Sequence, residues 1–391
     1  MIRVVQDDAG FDALGREWNG LLAESRSNGL FLTWEWLRAW WRHLAEDRRL
    51  SILVLSDGDR LAAIAPLALS PARGTRLFPS PVLEFLGTGP VGSDYLDLIV
   101  RRGQEEEALR ALAAHPLAEQ AVFRLHRVRG DSSLAWALAE RLREHGGSRV
   151  VADMEVCPFI RLGGHTWDSF LETLGPEHRS NLRRRLKTLA SRFDVKFEPA
   201  TGEAARGEAF ASLLALHEMR WRPRGGSEAF HTPGLRSFHE EISRAALARG
   251  WLRLYVLRLD GRAVAALYGF AYGGRFYFYQ SGFDPAYARY GVGLVAMGLA
   301  IRAAIEEGLQ EYDLLHGDEA YKFLWAREVR HLARLEIFPP GAWGALQRRS
   351  SVVWGATRGL ARRVVSRTAL LRLAQAMRPS SRQGADGSRL H

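Results

Sequence analysis

The chain of 391 residues contains one cysteine, Cys157, and only three lysines against 51 arginines. A single cysteine excludes an intrachain disulfide, and no group of cysteine and histidine has the spacing of a structural zinc site. No apolar run reaches the 18 residues of a transmembrane helix, and the N-terminus lacks the basic and apolar segments of a signal peptide. We therefore expect a cytoplasmic protein from a reducing compartment, without a bound metal.

The positive charge is concentrated at one end of the chain. The formal net charge is +10, but residues 341–391 alone carry +9 and the first 340 residues carry +1. A basic protein can bind nucleic acid or membranes. Because the folded body is nearly neutral, the charge argues against nucleic acid as a partner. It predicts an Arg-rich helical tail with a disordered end, which either contacts the inner face of a membrane peripherally or is solvated.

Length and periodicity predict a duplicated α+β fold. The composition, 47% hydrophobic and 25% charged, is that of a globular protein with two or three domains. In the second half, the turn dipeptides Asp260-Gly261 and Gly273-Gly274 predict an antiparallel meander, which a helix and a strand follow. A hairpin, strand, helix and strand recur in the first half. We expect domains at 1–165 and 166–340, followed by the tail at 341–391.

A glycine pair between a strand and a helix is the sharpest local motif. Gly291 and Gly293 let the backbone approach a ligand, and the free N–H groups of a helix start bind phosphate oxygens. One interpretation is the Rossmann pattern G-x-G-x-x-A, with Asp313 about 20 residues further on; the preceding meander argues against it. A second is the acyl-CoA loop of the Gcn5-related N-acetyltransferases (GNAT), which Arg289 fits one position late. A third interpretation is that the glycines only let this helix pack closely.

The segment YDLLHGDEAYKFLWA places several reactive side chains after a strand. His316, Asp318, Tyr321 and Lys322 lie within seven residues of one another. Loops of this kind often hold acid and base residues or bind substrates. Lys322 stands in a chain that otherwise uses arginine, so a compact ammonium for a phosphate or carboxylate is expected there. The alternative is a solvated charged loop.

Two helical segments supply candidates for binding an acceptor. The segment GPEHRSNLRRRLK is strongly basic, and its Asn181 and Arg184, three residues apart, can face one ligand. In LLALHEMRW, His217 and Trp221 lie at the end of a predicted helix. The alternatives are a solvated basic face for the first segment and core packing for the second.

Four of these segments together carry a family resemblance. FLTWEWLRAWWRHL, RSNLRRRLK, LHEMRW and YDLLHGDEAYKFLWA resemble the BioF2-like, CelD-type acetyltransferase-domain family of the GNAT superfamily, which is related to the Fem-type double-GNAT proteins. The resemblance implies two tandem GNAT-like domains with central mixed, mainly antiparallel sheets, in an α/β sandwich. It also implies acyl transfer, and an association of relatives with polysaccharide or cell-envelope biosynthesis.

We therefore expect an acyl-CoA-dependent N-acyltransferase, with acetyl-CoA as donor and a small-molecule or sugar-linked amine as acceptor. The predicted catalytic residues are Asp318, His316 and Lys322. The residues predicted to bind CoA are Gln280, Ser281, Gly282, Arg289, Gly291 and Gly293. Those predicted to bind the acceptor are Arg179, Asn181, Arg184, His217, Trp221 and Tyr321. Two other functions stay open: a Fem-like transferase that uses aminoacyl-tRNA, and a non-catalytic scaffold at the membrane.

Overall fold

The structure is a computed structural model that describes residues 2–70, 81–116, 120–130, 133–222, 225–227 and 229–352. The strands are β1 (Ile2–Val5), β2 (Arg49–Leu50), β3 (Ile52–Asp57), β4 (Arg60–Ala65), β5 (Leu67–Ser70), β6 (Val82–Phe85), β7 (Ile99–Val100), β8 (Val122–Arg129), β9 (Ser148–Arg161), β10 (Val195–Pro199), β11 (Leu252–Leu259), β12 (Arg262–Tyr272), β13 (Arg275–Phe283), β14 (Glu311–Asp313) and β15 (Glu328–Phe338). The helices are α1 (Asp8–Ala23), α2 (Trp34–Leu44), α3 (Glu105–Ala113), α4 (Leu134–Glu144), α5 (Trp167–Thr173), α6 (Pro176–Arg192), α7 (Glu203–Trp221), α8 (Pro233–Ala248) and α9 (Val292–Glu306).

A further helix occupies 341–352, and the rest of the predicted basic tail lies outside the described residues. Within the described part of the chain, no helix combines the length and the apolarity needed to cross a membrane.

Two sheets organise the molecule. A four-stranded sheet has the order β1-β3-β4-β7, and an eleven-stranded sheet has the order β10-β11-β12-β13-β14-β9-β15-β8-β6-β5-β2. Among the described strands, the pairs β6·β8 and β13·β14 are parallel and the other pairs are antiparallel. The predicted mixed, mainly antiparallel α+β architecture is therefore confirmed.

The same order of elements occurs twice along the chain. We call residues 2–165 the first lobe and residues 166–340 the second lobe. Among the described elements, two helices precede an antiparallel meander in the first lobe and four in the second. In each lobe a crossover helix then leads to a strand parallel to the last meander strand. The crossover helix is α3 in the first lobe and α9 in the second. The lobes share the large sheet, because β9 of the first lobe lies between β14 and β15 of the second.

The aromatic helix α2 joins the two lobes. Thr33 caps it by accepting a hydrogen bond from the backbone N–H of Trp36 at 3.4 Å, as a side-chain oxygen at this position commonly does. The indole of Trp36 is fully buried and packs edge-on against Phe238 and Tyr279 of the second lobe, at centroid distances of 5.0 and 5.7 Å. Such tilted aromatic pairs contribute about 0.5–1.5 kcal/mol each beyond the area they bury. The interface between the lobes is thus an apolar core.

Candidate functional site

The large sheet opens between β13 and β14. The two strands pair in parallel only from Arg275 to Tyr277, opposite Glu311 to Asp313. Beyond that point β13 continues to Phe283, while the chain after β14 turns toward β9 through the hydrogen bond from the Leu314 N–H to the Pro158 carbonyl, at 2.9 Å. The facing edge of β13 therefore leaves β14, and a split forms in the middle of the sheet. Backbone groups along such an edge are available to a ligand.

The helix that starts beside this split has an open N-terminus. Gly291 caps α9 with φ of +70°, a left-handed conformation that favours glycine. The first intrahelical hydrogen bond runs from the Val295 N–H to the Gly291 carbonyl, at 3.0 Å. The N–H groups of the first turn precede it and have no carbonyl partner within the helix. The first turn carries no acid, and these amides together with the helix dipole can hold a phosphate.

Arginine side chains surround the glycine turn. The aliphatic part of Arg185, from helix α6, lies 3.4 Å from the position that a Cβ at Gly291 would take, and its guanidinium donates to the Arg289 carbonyl. Arg289 lies over the ring of Tyr290, 4.7 Å from its centroid. Among the described residues, no carboxylate forms an ion pair with either arginine. The turn therefore presents positive charge and free amides on the same side.

The residues predicted for CoA lie at the split and at this turn. Gln280, Ser281 and Gly282 follow a β-bulge in β13, where the register against β12 shifts. Gly282 permits the close approach of α7, because a Cβ there would lie 2.3 Å from the backbone nitrogen of His217. Ser281 accepts a hydrogen bond from Arg220 at 2.9 Å. The structure thus brings the predicted strand residues and the glycine turn to one region, and their role in CoA binding stays a prediction.

The loop after β14 is held from within by Lys322. The ammonium donates to the carbonyls of His316 at 2.6 Å and Leu315 at 3.3 Å, and pairs with Glu319 at 2.9 Å. Lys322 is buried, and its three N–H groups match these three acceptors. It therefore shapes the loop, whereas Asp318 is exposed. The imidazole of His316 is about one-third exposed.

The residues predicted to bind the acceptor fall into three places. On α6, Arg184 donates to Asn181 at 2.9 Å and Arg179 donates to the Glu172 carbonyl at 3.5 Å. The two side chains therefore contact each other at the three-residue spacing that was predicted to present both to one ligand.

His217 and Trp221 lie on α7, and their rings are 6.2 Å apart. His217 is buried, and burial together with Arg220 lowers its pKa to about 4, so the ring is neutral at pH 7. It packs edge-on against Phe230 at 5.0 Å, as a core residue does. Tyr321 is half-buried, and burial raises its pKa to about 12.

Sequence patterns did not identify the first lobe's contribution. Asp94 is fully buried and contacts His316 three times: its Oδ2 accepts from the backbone N–H at 2.9 Å, and Nδ1 lies 3.0 Å from Oδ2 and 2.9 Å from Oδ1. Arg127 pairs with the same carboxylate at 3.3 Å. Burial opposes the charged form of Asp94, but His316 and Arg127 outweigh it and hold the pKa below its usual range. The only sequence signal was the glycine- and acid-rich segment around Asp94.

A separate cavity of about 80 Å³ lies between the lobes. Its charged lining consists of Arg26, Arg129, Arg275, Arg330, Asp94, Asp97 and Asp313. None of the site residues predicted from sequence lines it. Burial raises the pKa of Asp313 to about 7, although Arg330 opposes the rise. Asp94 thus lies between this cavity and His316.

No group of three or more histidine, cysteine or acidic side chains in the described ranges is arranged to hold a metal ion.

Comparison with known proteins agrees with this geometry. Residues 176–323 match the acetyltransferase (GNAT) domain family. The match runs from α6 to the loop that contains Lys322, and so includes the glycine turn and the split. It supports the predicted assignment to the GNAT superfamily, while the BioF2-like, CelD-type subfamily stays a prediction. No curated protein matches the chain.

Solved structures resemble the chain over most of its length. FemX is 12% identical, with 82% of this chain and 95% of FemX covered, at a TM-score of 0.57. A conserved protein of unknown function from Bacteroides thetaiotaomicron is 13% identical, with 86% and 99% covered, at 0.52. The C-terminal domain (DUF2156) assigned to a lysylphosphatidylglycerol synthetase from Agrobacterium fabrum is 12% identical, with 88% and 97% covered, at 0.50. At such identities the likeness concerns the fold, which is GNAT-like.

Proposed function

We propose that the protein transfers an acyl group from acyl-CoA to an amine. The observation that carries this proposal is the split between β13 and β14, next to an α9 N-terminus that is uncharged and flanked by Arg185 and Arg289. An anionic donor placed there has its pyrophosphate on the free amides of α9 and its thioester in the split. Anion binding at a helix start contributes about 0.3–1 kcal/mol per charge, and up to about 2 kcal/mol when partly buried. The match to a GNAT acetyltransferase domain supports an acyltransferase.

The chemistry requires a neutral amine and a polarised thioester. The amine nitrogen attacks the thioester carbon, the C–N bond forms, and the C–S bond breaks. One amine proton passes to a general base, and the CoA sulfur leaves with a proton as the thiol. Backbone N–H groups of β13 near Tyr279 to Gly282 stabilise the oxyanion, because fixed donors act strongly where water is excluded. His316 suits the base better than Asp318, since its ring is anchored and Asp318 is exposed.

The acceptor is proposed to be a small-molecule or sugar-linked amine. On α6, Arg179 and Arg184 donate to uncharged oxygens, those of the Glu172 carbonyl and the Asn181 amide, so their positive charge can still attract a nucleotide-sugar. The resemblance of the sequence to the BioF2-like, CelD-type family supports a role in polysaccharide or cell-envelope biosynthesis. Peripheral membrane contact through residues 341–391 remains part of this proposal.

A second donor, aminoacyl-tRNA, follows from the Fem-type resemblance. FemX shares the fold of this chain, and a likeness of fold leaves the donor open. Calorimetry with acetyl-CoA, a long-chain acyl-CoA and an aminoacyl-tRNA distinguishes the two. We expect an acyl-CoA to bind with a dissociation constant below about 1 mM, a typical upper limit for enzyme substrates. If no acyl-CoA binds and aminoacyl-tRNA does, the Fem-like function replaces this one; if neither binds, the scaffold function does.

A further inference from the structure

A segment of the first lobe spans the split in the second lobe. The Val91 carbonyl accepts a hydrogen bond from the Tyr279 hydroxyl of β13. The neighbouring Gly92 lies on the other side, where a Cβ would come within 3.4 Å of His316 Cε1. This segment therefore contacts both edges of the split, directly before Asp94 meets His316. The candidate active site is incomplete without the first lobe.

The contact fixes His316 in a single orientation. The carboxylate of Asp94 receives both the backbone N–H and Nδ1, and the His316 carbonyl accepts from Lys322 at 2.6 Å. An ionised carboxylate can only accept hydrogen bonds, so Nδ1 must carry the proton. The neutral ring then has its lone pair on Nε2, for which the described residues supply no hydrogen-bond partner. With about one-third of the side chain exposed, Nε2 can meet a substrate.

Backbone strain concentrates around this contact. Among the described residues, five other than glycine have positive φ, and three of them flank the pair: Tyr95 at +60°, Arg127 at +55° and Leu315 at +58°. Tyr95 follows Asp94, Arg127 pairs with it, and Leu315 precedes His316. A left-handed conformation at such residues is energetically costly and tends to occur at functional sites.

The surrounding charges act on the pair from several elements. Asp94 and Arg127 come from the first lobe, while Glu319 and Lys322 lie on the same loop as His316. The carboxylate lies against the imidazole at hydrogen-bond distance, closer than the 3.3 Å contact of Arg127 with Asp94. Asp94 is therefore the charge in direct contact with His316.

We propose that Asp94 is a positioning residue that keeps the His316 proton on Nδ1 and leaves Nε2 as the base for the acceptor amine. The proton taken from the amine goes to Nε2, and the imidazolium that forms is stabilised by the Asp94 carboxylate. Through this contact the first lobe takes part in a reaction whose donor binds in the second. The inference rests on the proposed acyl transfer.

Nitrogen-15 NMR of the full-length protein tests the tautomer without any ligand. Two-bond proton–nitrogen spectra at pH 8 distinguish the two tautomers, and the His316→Gln variant identifies the His316 signals. We expect the wild-type ring to carry its proton on Nδ1, and Asp94→Asn to shift the population toward Nε2–H. The matched control is Asp97→Asn, because buried Asp97 caps α4 by accepting from the Leu134 and Ala135 N–H groups and does not contact His316. A proton on Nε2 in the wild type, or a tautomer that Asp94→Asn leaves unchanged, overturns the proposal.

Kinetics tests the consequence for catalysis. With acetyl-CoA as donor and glucosamine as the probe amine, Asp94→Asn should lower kcat about 100-fold and change KM less than about twofold. If Asp94→Asn changes the tautomer of His316 but leaves kcat unchanged, Asp94 has no role in catalysis. If the wild-type protein shows the expected tautomer but does not transfer the acetyl group, the proposed acyl transfer is contradicted. The positioning of His316 by Asp94 then still holds.

Discussion

The two crossover helices occupy the same place in the two lobes but differ in charge where they begin. Gly103, with φ of +87°, precedes α3, and Gly291, with φ of +70°, caps α9. The first turn of α3 consists of three glutamates, and the Glu105 carboxylate accepts the Gly103 N–H at 2.7 Å. The first turn of α9 has no acid and lies beside Arg185.

This difference in charge indicates that the two lobes have different roles. Carboxylates at a helix start satisfy its dipole internally and repel phosphate. The first lobe therefore lacks the features of an anion site at this position, although the same strands and helix are present. It contributes instead the segment with Asp94, which reaches the split of the second lobe. The second lobe thus holds the proposed donor site, and the first contributes a side chain that contacts His316 of the second.

The largest expected effect comes from giving α9 the charge of α3. Gly293→Glu should weaken acetyl-CoA binding about 100-fold, because a carboxylate beside the pyrophosphate is worth roughly 2–3 kcal/mol in a partly shielded site. Calorimetry measures the dissociation constant.

Gly293→Gln is the matched control for this change. Its side chain has the same bulk near Phe283, which a Cβ would approach to 3.3 Å, and it lacks the charge. We expect Gly293→Gln to weaken acetyl-CoA binding only about tenfold. Equal losses for the two variants would place the pyrophosphate away from α9. Replacing the three glutamates of α3 by glutamine should leave the binding stoichiometry at one acetyl-CoA per chain.

The same comparison explains what sequence alone could predict. The meander, α9 and its glycine turn were predicted because turn dipeptides and caps act over a few residues. The 14-residue strand β9 was not predicted. Its partners in β14 and β15 lie at least 150 residues further on, and its residues show no sustained alternation of buried and exposed positions. A strand of this kind is defined by the neighbours it pairs with.

The candidate site, like the fold, was predicted from the sequence only where its residues are close together in the chain. His316, Asp318 and Lys322 were grouped because they are close in sequence. The role of Lys322 within the loop depends on the carbonyls it meets, which spacing does not reveal. Asp94 and His316 are 222 positions apart, so no local pattern joins them. Long-range contacts therefore complete a site that local motifs only outline.

Buried histidines extend the comparison to stability. Burial lowers the pKa of His239, in α8 of the second lobe, to about 3, and that of His126, in β8 of the first, to about 4. A histidine that stays neutral in the folded state contributes its full stability above the unfolded pKa of about 6.5 and loses it as the pH falls toward the folded value. As the pH falls from 6.5 to 5, protonation of His239 on unfolding should lower the free energy of unfolding by about 2 kcal/mol.

Urea unfolding at the two pH values measures this cost. His239→Phe, in a pocket with Phe230 and Phe238, should remove about 2 kcal/mol of the pH dependence. His126→Phe should remove nearly as much, because its folded pKa of about 4 also lies below pH 5. If the His126 variant removes more, acid sensitivity lies in the first lobe.

The smallest effect concerns the cation beside the glycine turn. In the first lobe, Arg110 and Arg141 near α3 are paired with Glu106, whereas the guanidinium of Arg185 donates to a backbone carbonyl. Arg185→Met keeps the aliphatic packing against Gly291 and removes the charge. Because exposed charge pairs contribute about 0.2–1 kcal/mol, acetyl-CoA should bind about three- to fivefold more weakly. Arg192→Met, on the same helix and exposed, should leave binding unchanged. At 1 M salt, where screening extends over about 3 Å, the two variants should bind alike; a difference that persists would show that Arg185 acts through packing rather than charge.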